Sequence, residues 1–185
     1  IDGFARVSAD GSGGAKLNAF DAATGNGTGG SVLVQAQSNG QITLDSGAAV
    51  TANGFGGING VTGVDGGVGT GGLAQFLANG GNAHINSSND ILLEARGIGA
   101  PGFACGLCSE DGGQGFGGTI DFNGASGTGN TIDVTGNVFL NASGIAGVGL
   151  TAAAGNAQGG TASIGAGSGT VVTINGNVSV AADAV

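Results

Sequence analysis

Tryptophan, tyrosine and methionine are absent from this chain, so its core must be built from Val, Ile, Leu, Ala and eight Phe, and must be narrow. Positive charge is almost as scarce. Arg6, Lys16 and Arg96 are the only fixed cations against 12 Asp and Glu, leaving a net charge of −9. Nucleic-acid binding needs a basic stripe to neutralise phosphate, and none exists. The same deficit disfavours anionic membrane surfaces. No apolar run approaches the roughly 20 residues that span a bilayer as a helix, so membrane insertion is not expected. Two cysteines and one histidine are too few for a structural zinc site. The chain also has no initiator Met and no signal-like amino-terminal region. It is expected to be a processed subunit, or a window of a longer polypeptide.

What is abundant is glycine, 45 of 185 residues, set in a repeating phrase. An aliphatic residue, then Asp, Asn or Thr, then Gly or Ser leads into an alternating stretch that ends in Ala. It runs from Ile1-Asp2-Gly3 to Ala9, Leu44-Asp45-Ser46 to Ala52, and Ile85-Asn86-Ser87 to Ala95. It returns as Val134-Thr135-Gly136 to Ala142 and Ile174-Asn175-Gly176 to Ala182. The closing alanines lie 43, 43, 47 and 40 residues apart. A period of this size with tolerated length variation marks a repeat architecture, and separates the chain from disordered glycine-rich sequences, which have no reason to hold aliphatic residues in register.

Each period has the same internal order. A Gly-Gly pair (Gly29-Gly30, Gly71-Gly72, Gly117-Gly118, Gly159-Gly160) precedes an alternating segment. Aligned, these segments place Val32, Ala74, Ile120 and Ala162 on one face, with Val34, Phe76, Phe122 and Ile164 two residues on. Period-two alternation is the strand signature. A second strand (Gln41–Leu44, Thr131–Val134, Val172–Ile174) follows a Gly/Asn turn. A corner then leads to a third strand such as Val138–Ala142. Gly and Asn suit such corners because they accept positive φ at little steric cost.

Three short strands and tight corners make one triangular coil. Stacking coils lets each strand pair in parallel with its counterpart above, at about 4.8 Å. The sequence therefore predicts an all-β fold: one parallel β-solenoid over residues 1–185, of about four coils of about 43 residues. A right hand is expected from the preference of parallel crossovers. An antiparallel sandwich is the competing architecture, disfavoured because corresponding strands recur in the same order with the same side inward. The expected core columns include Val34, Phe76, Phe122 and Ile164, and also Val50, Leu93, Leu140 and Val180. Phe76, Phe122 and Phe139 are the largest strand side chains available for cohesion.

The 18 to 23 residues that run from the third strand through the next Gly-Gly pair read as a long excursion from one edge of the coil. Loops of this length without structure are uncommon. The excursions are expected to pack on one another, with Phe55, Phe103, Phe116 and Ile145 as small anchors.

Chemical candidates are few. Cys105-Gly106-Leu107-Cys108 has the spacing of a redox pair, but lies in an excursion with no helical pattern. A local disulfide between Cys105 and Cys108 is the simpler reading, and suits an exported protein. His84 reads as a surface residue beside Ile85. Asp121 and Asp133 occupy outward strand positions, yet no Lys or Arg and no aromatic platform accompanies them as polysaccharide cleavage would require, so no enzyme activity is expected. Calcium is the open alternative, with Glu110 and Asp111 as weak candidate ligands at one turn; Gly63 to Gly67 is the other approach to a calcium-binding repeat. No other cofactor is implied. Asn-x-Ser/Thr sequences at Asn26, Asn86, Asn141 and Asn177 arise readily in so Asn- and Thr-rich a chain. Thr131, Thr135 and Thr173 form no regular outward ladder of the kind an ice-binding face would need.

The glycine-rich period, the Ile/Val-Asp/Asn-Gly corners and the Val-x-Ala strand ends resemble the β-helical shafts of bacterial surface proteins. Such shafts occur in filamentous-haemagglutinin-like adhesins and autotransporter passenger domains. The resemblance implies export to the cell surface, a stalk or fibre role, and assembly without cofactors. It carries no functional residues. The expectation is a structural protein of an extracellular filament, self-associating by end-to-end coil stacking. The alternative is an adhesin shaft whose excursions bind a host or surface receptor.

Overall fold

The computed structural model describes residues 1, 3–15, 24–58, 64–102, 111–149 and 153–185. Among them there is no helix, and every strand pairing is parallel. The first turn comprises β1 (Ala5–Ser8), β2 (Gly11–Ser12), β3 (Gly27–Thr28), β4 (Ser31–Gln37) and β5 (Gln41–Leu44). The second comprises β6 (Ala48–Thr51), β7 (Gly54–Phe55), β8 (Gly69–Thr70), β9 (Leu73–Asn79) and β10 (His84–Ser87). The third has β11 (Ile91–Glu94), β12 (Gly97–Ile98), β13 (Gly115–Phe116), β14 (Thr119–Gly124) and β15 (Asn130–Val134). The fourth has β16 (Val138–Asn141), β17 (Gly144–Ile145), β18 (Ala157–Gln158), β19 (Thr161–Ala166) and β20 (Thr170–Ile174), and β21 (Val178–Ala181) begins another. Each strand pairs with the one five places along. This gives four sheets of four strands and one of five, the β1-β6-β11-β16-β21 sheet. The fold is a parallel β-solenoid.

Three of the sheets enclose the core. They are built on β4, β5 and β6, and the alternating positions read from sequence form continuous columns along the axis. Val32, Ala74 and Ile120 are stacked by the β4–β9–β14 register, as are Val34, Phe76 and Phe122. Phe76, Phe122, Ile85, Ile132, Val50, Leu93 and Leu140 are almost completely buried. Burying such side chains supplies roughly 1.5–3 kcal/mol each, which is what holds strands too short to persist alone.

Three expectations about the core need correction. Ile164 and Val180 occupy inward columns but are 37% and 52% exposed, because each lies on the last strand of its sheet, with none stacked on it here. Phe139 lies on the outer face of β16 between inward Val138 and Leu140, and is 38% exposed; it adds nothing to the core. Val34 is only partly buried, and packs against the core's edge.

The corners are fixed by backbone shape and by side-chain ladders. Asn39 and Asn82 have φ of 63° and 50°, and Gly129 and Gly169, at 78° and 76°, serve the same bend in later coils. Asn130 is fully buried. Its Oδ1 accepts from the Gly81 and Ala83 amides (3.0 and 3.1 Å), and its Nδ2 donates to the Ala125 carbonyl (3.0 Å). At the next corner the Asn137 amide donates to Asp90 Oδ1 (2.7 Å), and Asn137 Oδ1 accepts from the Asn177 amide (2.8 Å).

The largest departure from the sequence reading concerns the excursions. They are not loops added to a three-stranded coil. Each carries two further strands, so the coil has five. The β2-β7-β12-β17 sheet and the β3-β8-β13-β18 sheet face one another as the two walls of a flat arm.

Candidate functional surface

The arm is built on glycine. Gly54 and Gly97 on one wall, and Gly69 and Gly115 on the other, point between the walls. A Cβ on any of them would come within 2.2 Å of a carbonyl oxygen across the gap, far inside contact distance: that of Thr70, Phe116, Ile98 and Ile145 respectively. Backbone thus packs on backbone, closer than any side chain permits. Ala157 aside, the side chains of these strands stand on the outside. Phe55, Ile98 and Ile145 form one half-buried row on the first wall; Thr28, Thr70, Phe116 and Gln158 form a second row, half-buried at Thr70 and Phe116 and exposed at Thr28 and Gln158. Phe55, Ile145 and Phe116 therefore do not anchor excursions to one another by filling an interior, since the arm's interior has no space for them. Phe103 lies outside the described residues.

The arm joins the core at a neck. The Gly30, Gly72, Gly118 and Gly160 amides donate to the carbonyls of Ala9, Ala52, Ala95 and Ala142 at 2.6 to 2.8 Å. The Gly-Gly pairs and closing alanines of the repeat phrase are the two sides of this neck. A Cβ on Gly71 or Gly117 would meet the Ala95 or Ala142 carbonyl oxygen, and those alanines are fully buried.

Where the first wall leaves the core, the outer surface bends into an elbow lined by polar side chains. Thr51, Asn53 and Ser143 are at most 6% exposed although they lie outside the core. Asp10 accepts from Ser8 Oγ (2.7 Å), Thr51 Oγ1 (3.0 Å) and the Asn53 amide (2.7 Å). Asn53 Oδ1 accepts from the Arg96 amide (2.8 Å), and Asn53 Nδ2 donates to Glu94 (3.3 Å). Glu94 also pairs with the Arg96 guanidinium at 3.2 Å. Arg96 Nε is buried with no hydrogen-bond partner among the described residues. Partial burial pushes the Asp10 carboxyl up, but the bonds from Ser8, Asn53 and Thr51, with the charge of Arg6, outweigh it and hold the carboxyl below its ordinary range.

The other candidates are dispersed. Cys105, Cys108 and Glu110 lie outside the described residues. Asp111 is exposed at the arm's outer end, where its amide donates to Asp65 Oδ1 (3.0 Å). His84 stands on the outer face of β10 with Nδ1 2.9 Å from Thr131 Oγ1. Asp121 and Asp133 belong to different sheets; Asp121 accepts a long bond from Ser163 (3.4 Å), and Asp133 stands between Asn86 and Thr173. Of the threonines, Thr131 is flanked by His84 and Val171, so the strand register stacks no threonine ladder there. Among the described residues no three His, Cys, Asp or Glu side chains converge on one point, and no pocket is present.

No family model, curated protein or solved structure matches this chain. The described residues offer a periodic surface, with no convergent site among them. The elbow and the arm's outer rows, which sequence reasoning missed, are the features that repeat along it.

Proposed function

We propose that this chain is a section of the shaft of an extracellular bacterial filament or surface fibre, exposed at the cell surface. Further coils, of the same polypeptide or of another copy, join it rung on rung. The observation that carries this reading is the unbroken register: all five sheets continue through successive coils with no strand skipped or reversed. A structure that repeats in this way can be extended by the bonds that already hold it, as a head-to-tail contact that propagates. The role is mechanical, without catalytic residue, cofactor or metal, and its partner is itself. A charge of −9 agrees with a chain that leaves nucleic acid alone, and no described helix is long and apolar enough to cross a membrane.

Electron microscopy of the purified, undenatured protein tests this. Long fibres with a regular axial repeat, formed without added metal, are expected. Discrete short rods would overturn it.

A second reading, an adhesin shaft whose excursions bind a surface or receptor, is favoured by one observation. The arms stand side by side and present repeated, half-exposed rows of Phe55, Ile98 and Ile145. Deleting residues 98–115 removes most of the third coil's arm. Loss of attachment with unchanged rod length would support the adhesin; weakened joining or lateral packing of rods would support the filament.

A further inference from the structure

The arm is fastened in two different ways. At the neck, the bonds from Gly30, Gly72, Gly118 and Gly160 lie against fully buried Ala52, Ala95 and Ala142 and the apolar core. At the outer end, a zigzag of main-chain bonds climbs from wall to wall through the coils. Gly25 donates to Gly14, Gly57 to Gly25, Gly67 to Gly57, and Ala100 to Gly67. Gly113 then donates to Ala100, Gly147 to Gly113, and Gly155 to Gly147, all between 2.8 and 3.3 Å. Between neck and latch the walls touch through glycine backbone; their apolar side chains, Phe55, Ile98, Phe116 and Ile145, stand outside and are only half-buried, and the latch adds the small buried methyl of Ala100. Glycine loses more conformational freedom on ordering than any other residue. Regions with few buried apolar contacts are the ones that open locally, below the energy of global unfolding.

We infer that the arm is a conformational unit distinct from the core: its outer latch and walls open together while the neck stays shut and the core coils remain stacked. The neck makes this possible. Because Ala52 meets Gly72, and Ala95 meets Gly118, each three-sheet coil is closed without help from the arm. Opening is collective along the axis, since every latch bond shares a residue with the next. The device does not depend on the fibre reading, and can be measured on single molecules in solution.

The test is residue-resolved hydrogen exchange on the whole chain, at rising but sub-denaturing denaturant. The Gly57, Gly67, Ala100, Gly113 and Gly147 amides should exchange as one group, with protection at least tenfold below that of Ile85, Leu93 and Ile132. The neck amides of Gly72 and Gly118 should follow the core. Convergence of latch, neck and core on one exchange rate would overturn the inference. So would latch amides exchanging coil by coil with unrelated rates. Gly113→Ala places a Cβ against the Gly67 carbonyl and should lower latch protection in neighbouring coils while the neck holds; parallel loss at the neck counts against the device. The wild-type measurement decides by itself should that variant not fold.

Discussion

Phe76 and Phe122 lie one above the other in consecutive coils, their ring centroids 5.2 Å apart and their planes within 3°. Both are fully buried, and their register is set by the β9–β14 pairing. The stacked arrangement adds about 0.5–1.5 kcal/mol to what their burial supplies.

Replacing Phe122 tests that column. Phe122→Ala should cost about 3–5 kcal/mol, through lost burial and the cavity left beneath Ile164. Phe122→Asp should abolish the cooperative thermal transition, since an unpaired charge would sit among apolar residues. An unchanged melting temperature in the Asp variant would refute the inward placement.

The neck predicts a contrast between glycines. Gly117→Ala drives a Cβ into the Ala142 carbonyl, whereas a Cβ at Gly3 or Gly14 meets nothing within 4 Å. The first substitution should destabilise by about 1–3 kcal/mol, as overpacking does. The other two should leave the denaturant midpoint within the small range of surface changes.

Asn130 fills its corner by satisfying two amides and one carbonyl. Asn130→Ala removes the acceptor of the Gly81 and Ala83 amides, at about 1–3 kcal/mol, while the Ala125 carbonyl keeps its bond from Thr170 Oγ1. Asn177, exposed and bonded through its main-chain amide and carbonyl, should tolerate alanine with little change in thermal stability.

Acid should loosen the elbow. The folded chain holds the Asp10 carboxyl below its ordinary range of about 4. A group depressed in this direction stabilises the fold above its unfolded pKa, and that stabilisation is lost as pH falls through the folded value. The difference in melting temperature between wild type and Asp10→Asn should therefore be full near neutrality and shrink progressively below about pH 4. A difference independent of pH would mean that Asp10 acts by shape and not by charge.

The core was legible in the sequence because its strands alternate side chains of opposite character. Val50, Leu93 and Leu140 recur at one phase of the period, and the closing alanines mark the turn that follows. The arm strands were not, although they alternate too. Gly54-Phe55-Gly56 and Gly69-Thr70-Gly71 are period-two patterns whose buried face carries no side chain at all. Glycine in such a position reads as a turn, because strand recognition rests on apolar residues facing inward. Two Gly-x-Gly triplets in each of the first three periods were the available signal. The elbow was hidden for another reason: Asp10, Asn53 and Arg96 meet only through the stacking of coils, some 41 to 43 residues apart in sequence. The exposure of Ile164 and Val180 depends on their place in the stack, which their column does not reveal.

An ordinary protein interior tolerates drift, because a methyl lost at one position can be replaced by one gained beside it. Between the two arm walls that exchange has no currency. Glycine is already the smallest residue, so a neighbour cannot shrink to admit a newcomer, and inside the stack the inward slots have a one-letter alphabet. Ala157, which takes the slot in register with Gly115, is the exception; beyond it only Ala184 and Val185 continue the facing wall. Variation in this protein is thus channelled outward, to Ser12, Phe55, Ile98 and Ile145, where successive coils differ in size and polarity while the backbone behind them stays the same.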